Sequence, residues 1–355
     1  MKRTLILLAA ALSMTAAWSQ NLAKNEAKAL QSFLNQPAAK GGTNAEALGL
    51  NSNNVASCPG VKVENGHVTE IDWSGKDLGG ALNLSGFQAL QKVEVRNNKL
   101  QQLNVSNAPA LYELNAGRNE ISEVTIAGCG QLQTLRLNRN RLSNLNLGGT
   151  PLLKKLNVAG NHFATLDVSN AVNLEYLNCM SNHMENLVVS GCQSLKTIYA
   201  GYNELSEVTL AGLINLENLN LTSNRLSQLY LQDLPSLTTV LASDNHMKAL
   251  VFNNCKALSD IYAPYNSLNT FSVSGSPQLA FVNLEWNDLE TVTLSNLNFL
   301  QRVNLANNQL SMLDVTFDPM LTYLNISNNP TLNDLRTMND DALRQVVGEN
   351  WSDFD

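Results

Sequence analysis

The stretch Gly117–Gly149, "GRNEISEVTIAGCGQLQTLRLNRNRLSNLNLGG", states one phrase twice: "RNEISEVTIAG" from Arg118 and "RNRLSNLNLGG" from Arg139, 21 residues apart. The period extends in both directions. From Leu90 a leucine returns every 21 residues, without an insertion, to Leu321, and in all twelve turns the residue eight places later is asparagine, from Asn98 to Asn329. With the leucine as site 1, apolar residues hold sites 1, 4, 6, 11, 14 and 16, and sites 4 and 6 alternate with variable residues, as a strand with one buried face requires. The apolar side chains of one turn, at roughly 2 kcal/mol each, cannot offset the ordering of its backbone at about 1 to 2 kcal/mol per residue. No turn folds alone, and stacking must supply the difference.

The asparagine at site 9 has a physical task. Where the chain leaves the strand its backbone groups lose their ladder partners, and a buried carboxamide can both donate to them and accept from them. The pattern L-x-x-L-x-[apolar]-x-x-N-x-L, as in Leu216-Glu-Asn-Leu219-Asn-Leu221-Thr-Ser-Asn224-Arg-Leu226, resembles the leucine-rich repeat family. The 21-residue unit, with a second half such as Leu166-Asp-Val168-Ser169, is similar to the bacterial internalin class, the internalin J type especially. That resemblance implies a right-handed leucine-rich repeat solenoid with a parallel β-sheet on its concave face, used as a binding scaffold in adhesion or cell-surface interaction.

The ends depart from the period. Residues 1–19, "MKRTLILLAAALSMTAAWS", combine a basic start, an apolar run and small residues Ala17 and Ser19, which reads as a signal peptide. Residues 20–67 are expected to form an N-terminal cap, with Ala27, Leu30, Phe33 and Leu34 on the buried stripe of a helix and a hairpin turn at Asn65-Gly66. The solenoid is expected over 68–331, its degenerate first turn carrying Val68 and Ile71, and a C-terminal cap over 332–355. In that cap "NDDALRQVVGENWSDFD" is expected to be a helix starting near Asn339, with Leu343, Val346, Val347 and Trp351 closing the core.

The 355 residues are 44% hydrophobic and 15% charged, a composition that folds. Without Lys2 and Arg3 the mature chain holds 21 basic against 30 acidic side chains, which argues against nucleic acid as a partner. No later stretch has the length of a membrane span. The expectation is an exported protein, secreted or at the cell surface, with the periplasm also open to it.

No nucleophile with a base, no phosphate loop and no metal-ligand spacing occurs, so neither an enzyme nor a cofactor is expected. Cys129, Cys192 and Cys255 share site 19, and Cys179 holds site 6, all read as small buried residues, while Cys58 lies outside the period. His162, His183 and His246 share site 10, a tolerant, solvated position, and no metal site is expected there. Glycines recur at site 18 (Gly128, Gly149, Gly191, Gly212, Gly275) with asparagine as replacement, which a turn of positive φ explains.

The positions that the fold leaves free are sites 3, 5, 7 and 8. Early turns place Arg96, Arg118, Arg136 and Arg139 there, with Lys92 and Lys155, and later turns place Tyr176, Tyr199, Tyr202, Tyr262, Tyr265, Phe281, Trp286 and Tyr323. Exposed rings on a strand surface are the usual anchors of interfaces. The arginines and the aromatic residues up to Trp286 are therefore the candidate ligand-binding residues of a scaffold for a protein partner, from a host or from a bacterial surface. A carbohydrate-binding module and a self-associating envelope protein are the rival readings.

Overall fold

In the computed structural model, which describes residues 22–50, 58–294, 297–337 and 345–347, sites 3 to 5 of every turn form a three-residue strand of a parallel sheet. The expected signal peptide and the expected helix positions Leu343 and Trp351 lie outside the described residues. The chain divides into two compact units, Met1–Phe163 with Asn170–Leu174, and Ala164–Ser169 with Glu175–Asp355, both built of the same turn.

In the first unit the sheet begins with an antiparallel hairpin of Val61–Glu64 and His67–Asp72. Asn65 and Gly66, both at positive φ (50° and 78°), make its two-residue turn. His67–Asp72 then pairs in parallel with Lys92–Glu94, followed by Glu113–Asn115, Thr134–Arg136 and Lys155–Asn157. In the second unit the same register runs from Tyr176–Asn178 through Tyr262 and Phe281 to Tyr323–Asn325. Residues 21 apart face each other, as in Ile198 against Leu219 and Leu219 against Val240, so a buried site in one turn is buried in the next.

Several turns add a second short strand around sites 13 to 15, which the apolar pattern of their second half does not by itself announce. Gly79–Asn83, Lys99–Asn104 and Glu123–Thr125 pair in one unit, and Gln228–Gln232, Ala249–Asn253 and Thr270–Ser274 in the other. The leucines of sites 1 and 4 and the apolar residues of site 6 fill the space between, as with Leu216, Leu219 and Leu221, each at most 1% exposed.

The asparagines form the ladder that the sequence implies. Asn224 donates through Nδ2 to the carbonyls of Leu221 in its own turn (2.9 Å) and Ala200 in the turn before (3.1 Å), and its Oδ1 accepts from the N–H of Leu205 (3.1 Å). Asn119, Asn140, Asn287 and Asn308 repeat the same contacts one turn at a time.

At the N-terminal end a helix, Lys24–Leu34, buries Ala27, Leu30, Phe33 and Leu34, and the Phe33 ring stacks on Trp73 at 5.4 Å. Its buried Glu26 accepts from the N–H of Val68 (2.8 Å) and faces His67 Nδ1 (3.0 Å), so the carboxylate is partnered where it is desolvated. The expected C-terminal helix is corrected in its middle: Gln345–Val347 is a strand pairing in parallel with Tyr323–Asn325, with Val346 opposite Leu324. The offset there is 22 rather than 21 residues, so the one-residue slip hides a β-branched Val346-Val347 pair that extends the sheet. No helix of the described residues is long and apolar enough to cross a membrane.

Site 19 is buried in every described turn but that of Leu297, which is half-buried, and one turn places an acid there. Asp318 is 4% exposed; its Oδ1 accepts from the Leu297 N–H (2.8 Å), and its Oδ2 meets no donor among the described residues. Burial pushes its carboxyl up to about 6 from an ordinary 3.8, against the pull of the Leu297 N–H and with help from the Asp314 charge.

Two stability measurements follow from these contacts. Asn224→Ala orphans the buried Leu205 N–H, at about 1–3 kcal/mol, and takes one of two donors from the Leu221 and Ala200 carbonyls, which keep Asn245 and Asn203 (3.0 Å each); it should lower unfolding free energy in urea by roughly 1–3 kcal/mol, whereas Arg225→Ala beside it, losing an exposed pair with Glu204 (2.8 Å), should stay within about 1 kcal/mol. Asp318 binds its proton more tightly folded than unfolded, so its contribution falls as pH rises from about 4 to about 6 and is flat above. Asp318→Asn should remove that slope and raise stability at pH 8 by about 1–3 kcal/mol in pH-resolved urea titrations.

Candidate binding surface

The chain must reverse direction after the strand so that the site-9 asparagine points inward, and the residue before it absorbs the reversal. Site 8 is left-handed in all twelve turns, with φ between 54° at Trp286 and 67° at Gly160. Such a conformation suits glycine and asparagine and costs a bulky L-residue about 1–2 kcal/mol. Small or polar residues accordingly hold it in seven turns: Asn97, Gly160, Ser181, Ser223, Asp244, Asn307 and Asn328. The other five carry Arg118, Arg139, Tyr202, Tyr265 and Trp286, against the local preference.

Site 5 has its own preference. Asparagine stands there in seven turns, and its Oδ1 accepts from the backbone N–H two residues on, as in Asn220 to Thr222 (2.9 Å) and Asn283 to Glu285 (3.1 Å). Tyr199 and Tyr262 replace that asparagine in the very turns where Tyr202 and Tyr265 replace the small residue of site 8. The turn of Leu132 does the same with Arg136 and Arg139, so the doubled departure recurs every 63 residues. The segments "CGQLQTLRLNRN" from Cys129, "CQSLKTIYAGYN" from Cys192 and "CKALSDIYAPYN" from Cys255 carry it.

The rings occupy two levels. At sites 3 and 5 Tyr176, Tyr199, Tyr262 and Phe281 are half-buried by one another, Tyr176 meeting Tyr199 edge-on at 5.8 Å and Tyr262 stacking on Phe281 at 4.5 Å. The expectation that site 5 is as open as site 8 is corrected by this mutual cover. At site 8 Tyr202 and Tyr265 are each 56% exposed and Trp286 is 52% exposed, with the rings of Tyr265 and Trp286 stacked nearly parallel at 6.1 Å. Arg302 lies over the ring of Tyr323 at 5.1 Å. Beyond Trp286, an open cleft of about 680 Å³ is lined by Asp288, Asn307, Gln309 and Asn328, residues that the sequence reading did not single out.

The arginines are not one patch. Arg136 is bound to Glu113 (2.7 Å), which Lys92 also approaches (3.3 Å), and Lys92 reaches Glu94 (3.8 Å). Burial works to raise the Glu113 carboxyl, but the hydrogen bonds from Arg136 and Lys92 outweigh it and hold the carboxyl below its ordinary range. Arg136 is thus committed to the sheet surface. Arg96 is exposed at site 7, and the exposed guanidinium groups of Arg118 and Arg139 have neither an ion pair nor a hydrogen-bond partner among the described residues.

Site 10 carries ion pairs along the turns: Lys99–Glu120 (3.1 Å) and Glu120–Arg141 (2.8 Å) in one unit, His183–Glu204 (3.5 Å) and Glu204–Arg225 (2.8 Å) in the other. The glutamates that could have joined the histidines at a metal are held by arginines. The cysteines are buried, and burial pushes the thiols of Cys58 and Cys179 up to about 12 and that of Cys192 to about 11, which leaves them without nucleophilic character. Cys129 and Cys192 each point Sγ at the carbonyl 24 residues earlier, both at 3.1 Å. Gly149 departs from the expected positive φ of site 18, and its need is space, since a Cβ there would stand 3.0 Å from the Gly128 nitrogen.

Neither a family model nor a curated protein matches the sequence. Among solved structures, the functional domain of InlJ from Listeria monocytogenes, which includes a cysteine ladder, is similar at 19% identity over 78% of this chain and 70% of that one, with a TM-score of 0.54. The leucine-rich repeat protein LIC12759 of Leptospira interrogans is similar at 23% identity over 63% and 68% of the two chains, with a TM-score of 0.51. The leucine-rich effector YopM of Yersinia pestis is similar at 19% identity over 92% and 98%, with a TM-score of 0.50. The fold is therefore the leucine-rich repeat solenoid.

If the rings of site 8 are held against backbone preference, Tyr202→Asn should raise the stability of the protein by up to about 1 kcal/mol, and Asn307→Tyr should lower it by a similar amount. Thermal and urea unfolding of the two variants read this directly.

Proposed function

We propose that this chain is an exported protein-binding scaffold whose later turns grip a protein partner, on a host or a bacterial surface, through Tyr202, Tyr265 and Trp286, backed by the half-buried rings of Tyr176, Tyr199, Tyr262 and Phe281. The carrying observation is that three large, half-exposed rings occupy a left-handed position where the fold itself favours glycine or asparagine. Structural demand would have removed them, so their retention requires a use that offsets the strain. Rigid aromatic side chains on a strand-backed surface lose little entropy on binding and supply most of the energy of typical hot spots. The basic, apolar start of the chain supports export.

A glycan partner is the second reading, favoured by the cleft in which the Trp286 ring stands beside Asp288, Gln309 and Asn328, groups that can donate to and accept from hydroxyls. The triple variant Tyr202→Asn/Tyr265→Asn/Trp286→Asn is predicted to fold at least as stably as the parent and to lose at least tenfold in binding to intact bacteria or to immobilised host extracellular proteins. Protease treatment of the target should abolish parent binding; survival of protease with loss after glycan removal would select the sugar reading. Binding unchanged in the triple variant would refute both.

A further inference from the structure

We infer that Arg118 and Arg139 form a clamp for a tetrahedral oxyanion, the phosphate or sulfate ester group of a larger ligand, at a site in the first unit separate from the aromatic surface. The two residues hold site 8 of successive turns, so their backbones stand one strand spacing apart, about 4.8 Å. Both are left-handed, with φ of 58° and 57°, and both are exposed. They line an open cleft of about 400 Å³ with Asn97 and with the ladder asparagines Asn98 and Asn119.

Of the charged residues that line the cleft, all but this pair are matched. Lys99 is held by Glu120 (3.1 Å), and Asp77, the acid lining the cleft, is held by Lys40 (2.9 Å). What remains is two guanidinium forks with no partner among the described residues, in a protein whose formal net charge is −7. A lone surface cation can be a solvated side chain; here two stand together on a backbone conformation that disfavours both of them. A carboxylate, with two oxygens, is satisfied by one fork. Two forks facing one cleft fit a group with three or more terminal oxygens, which a phosphate or sulfate ester supplies, and the Asn97 carboxamide can add a donor.

Two sources share that chemistry, a sulfated polysaccharide and a phosphate-bearing lipid surface, and the test separates them. Binding of the full chain would be measured for a heparin tetrasaccharide, and for phosphatidylcholine vesicles with and without phosphatidic acid, at fixed ionic strength. The variant Arg118→Asn/Arg139→Asn places at both positions the residue that site 8 already carries at Asn97, so it keeps the fold. A charge-matched control, Lys248→Asn/Lys256→Asn, removes two exposed cations elsewhere. The clamp predicts that the parent and the control bind at least one of the two probes with similar affinity, that the arginine variant binds it at least tenfold more weakly, and that the Tyr202/Tyr265/Trp286 variant is unaffected. A loss below tenfold, an equal loss in the control, or no binding of either probe by the parent overturns it.

Discussion

The structure depends on the hydrogen bonds of one carboxamide. Within each unit a ladder asparagine such as Asn224 joins two carbonyls, one from its own turn and one from the turn before, and accepts the N–H that opens the second half of that earlier turn. Backbone groups at a corner of a solenoid lie beneath side chains and out of reach of water, so without such a partner each would carry its full desolvation cost. The carboxamide is the short side chain that offers both a donor pair and an acceptor, which explains why no turn from Leu90 to Leu321 replaces it. Because its contacts tie neighbours together, the same bonds that close one turn fix the register of the next.

From that constraint comes the geometry of the exposed surface. Turning the asparagine inward requires a left-handed residue before it, and the strand that precedes the corner is only three residues long. Most turns therefore show the outside a pair of half-covered strand side chains and a corner residue that projects fully where it is large. The strand level is crowded, with rings and ion pairs covering one another. The corner level is open and, for anything larger than asparagine, strained. Where a large side chain is kept there, the fold is opposing it, and that opposition sets these residues apart from those kept for packing.

Most of the fold was legible because its two strongest signals, a leucine every 21 residues and an asparagine eight places on, are direct imprints of packing and of hydrogen-bond satisfaction. The strand sites and the N-terminal helix followed from periodicity, since burial on one face leaves a regular apolar mark. The candidate surface was legible only in part. The residues of sites 3, 5, 7 and 8 could be assigned to the outside, but not which were shielded: Arg136 finds Glu113 in the neighbouring turn, and Tyr262 finds Phe281, contacts that exist only after stacking. The left-handed corner leaves a weaker signal, the run of Asn97, Gly160, Ser181, Asp244 and Asn307 at one site, which the larger residues of other turns interrupt. The strand Gln345–Val347 escaped because a single extra residue broke the count, and a repeat sought by its period is lost at the first slip.

The recurrence every 63 residues bears on how such a surface changes over generations. Blocks opening at Cys129, Cys192 and Cys255 share the register of the 21-residue turn, so a block gained or lost would leave the turns stacking without repair. Unequal exchange between them would add or delete three whole turns, with every carboxamide again meeting its neighbours. A lineage could thus lengthen the exposed surface in steps of one block, or trade an arginine pair for a tyrosine pair by copying one block over another, while the interior of the protein stayed as it was.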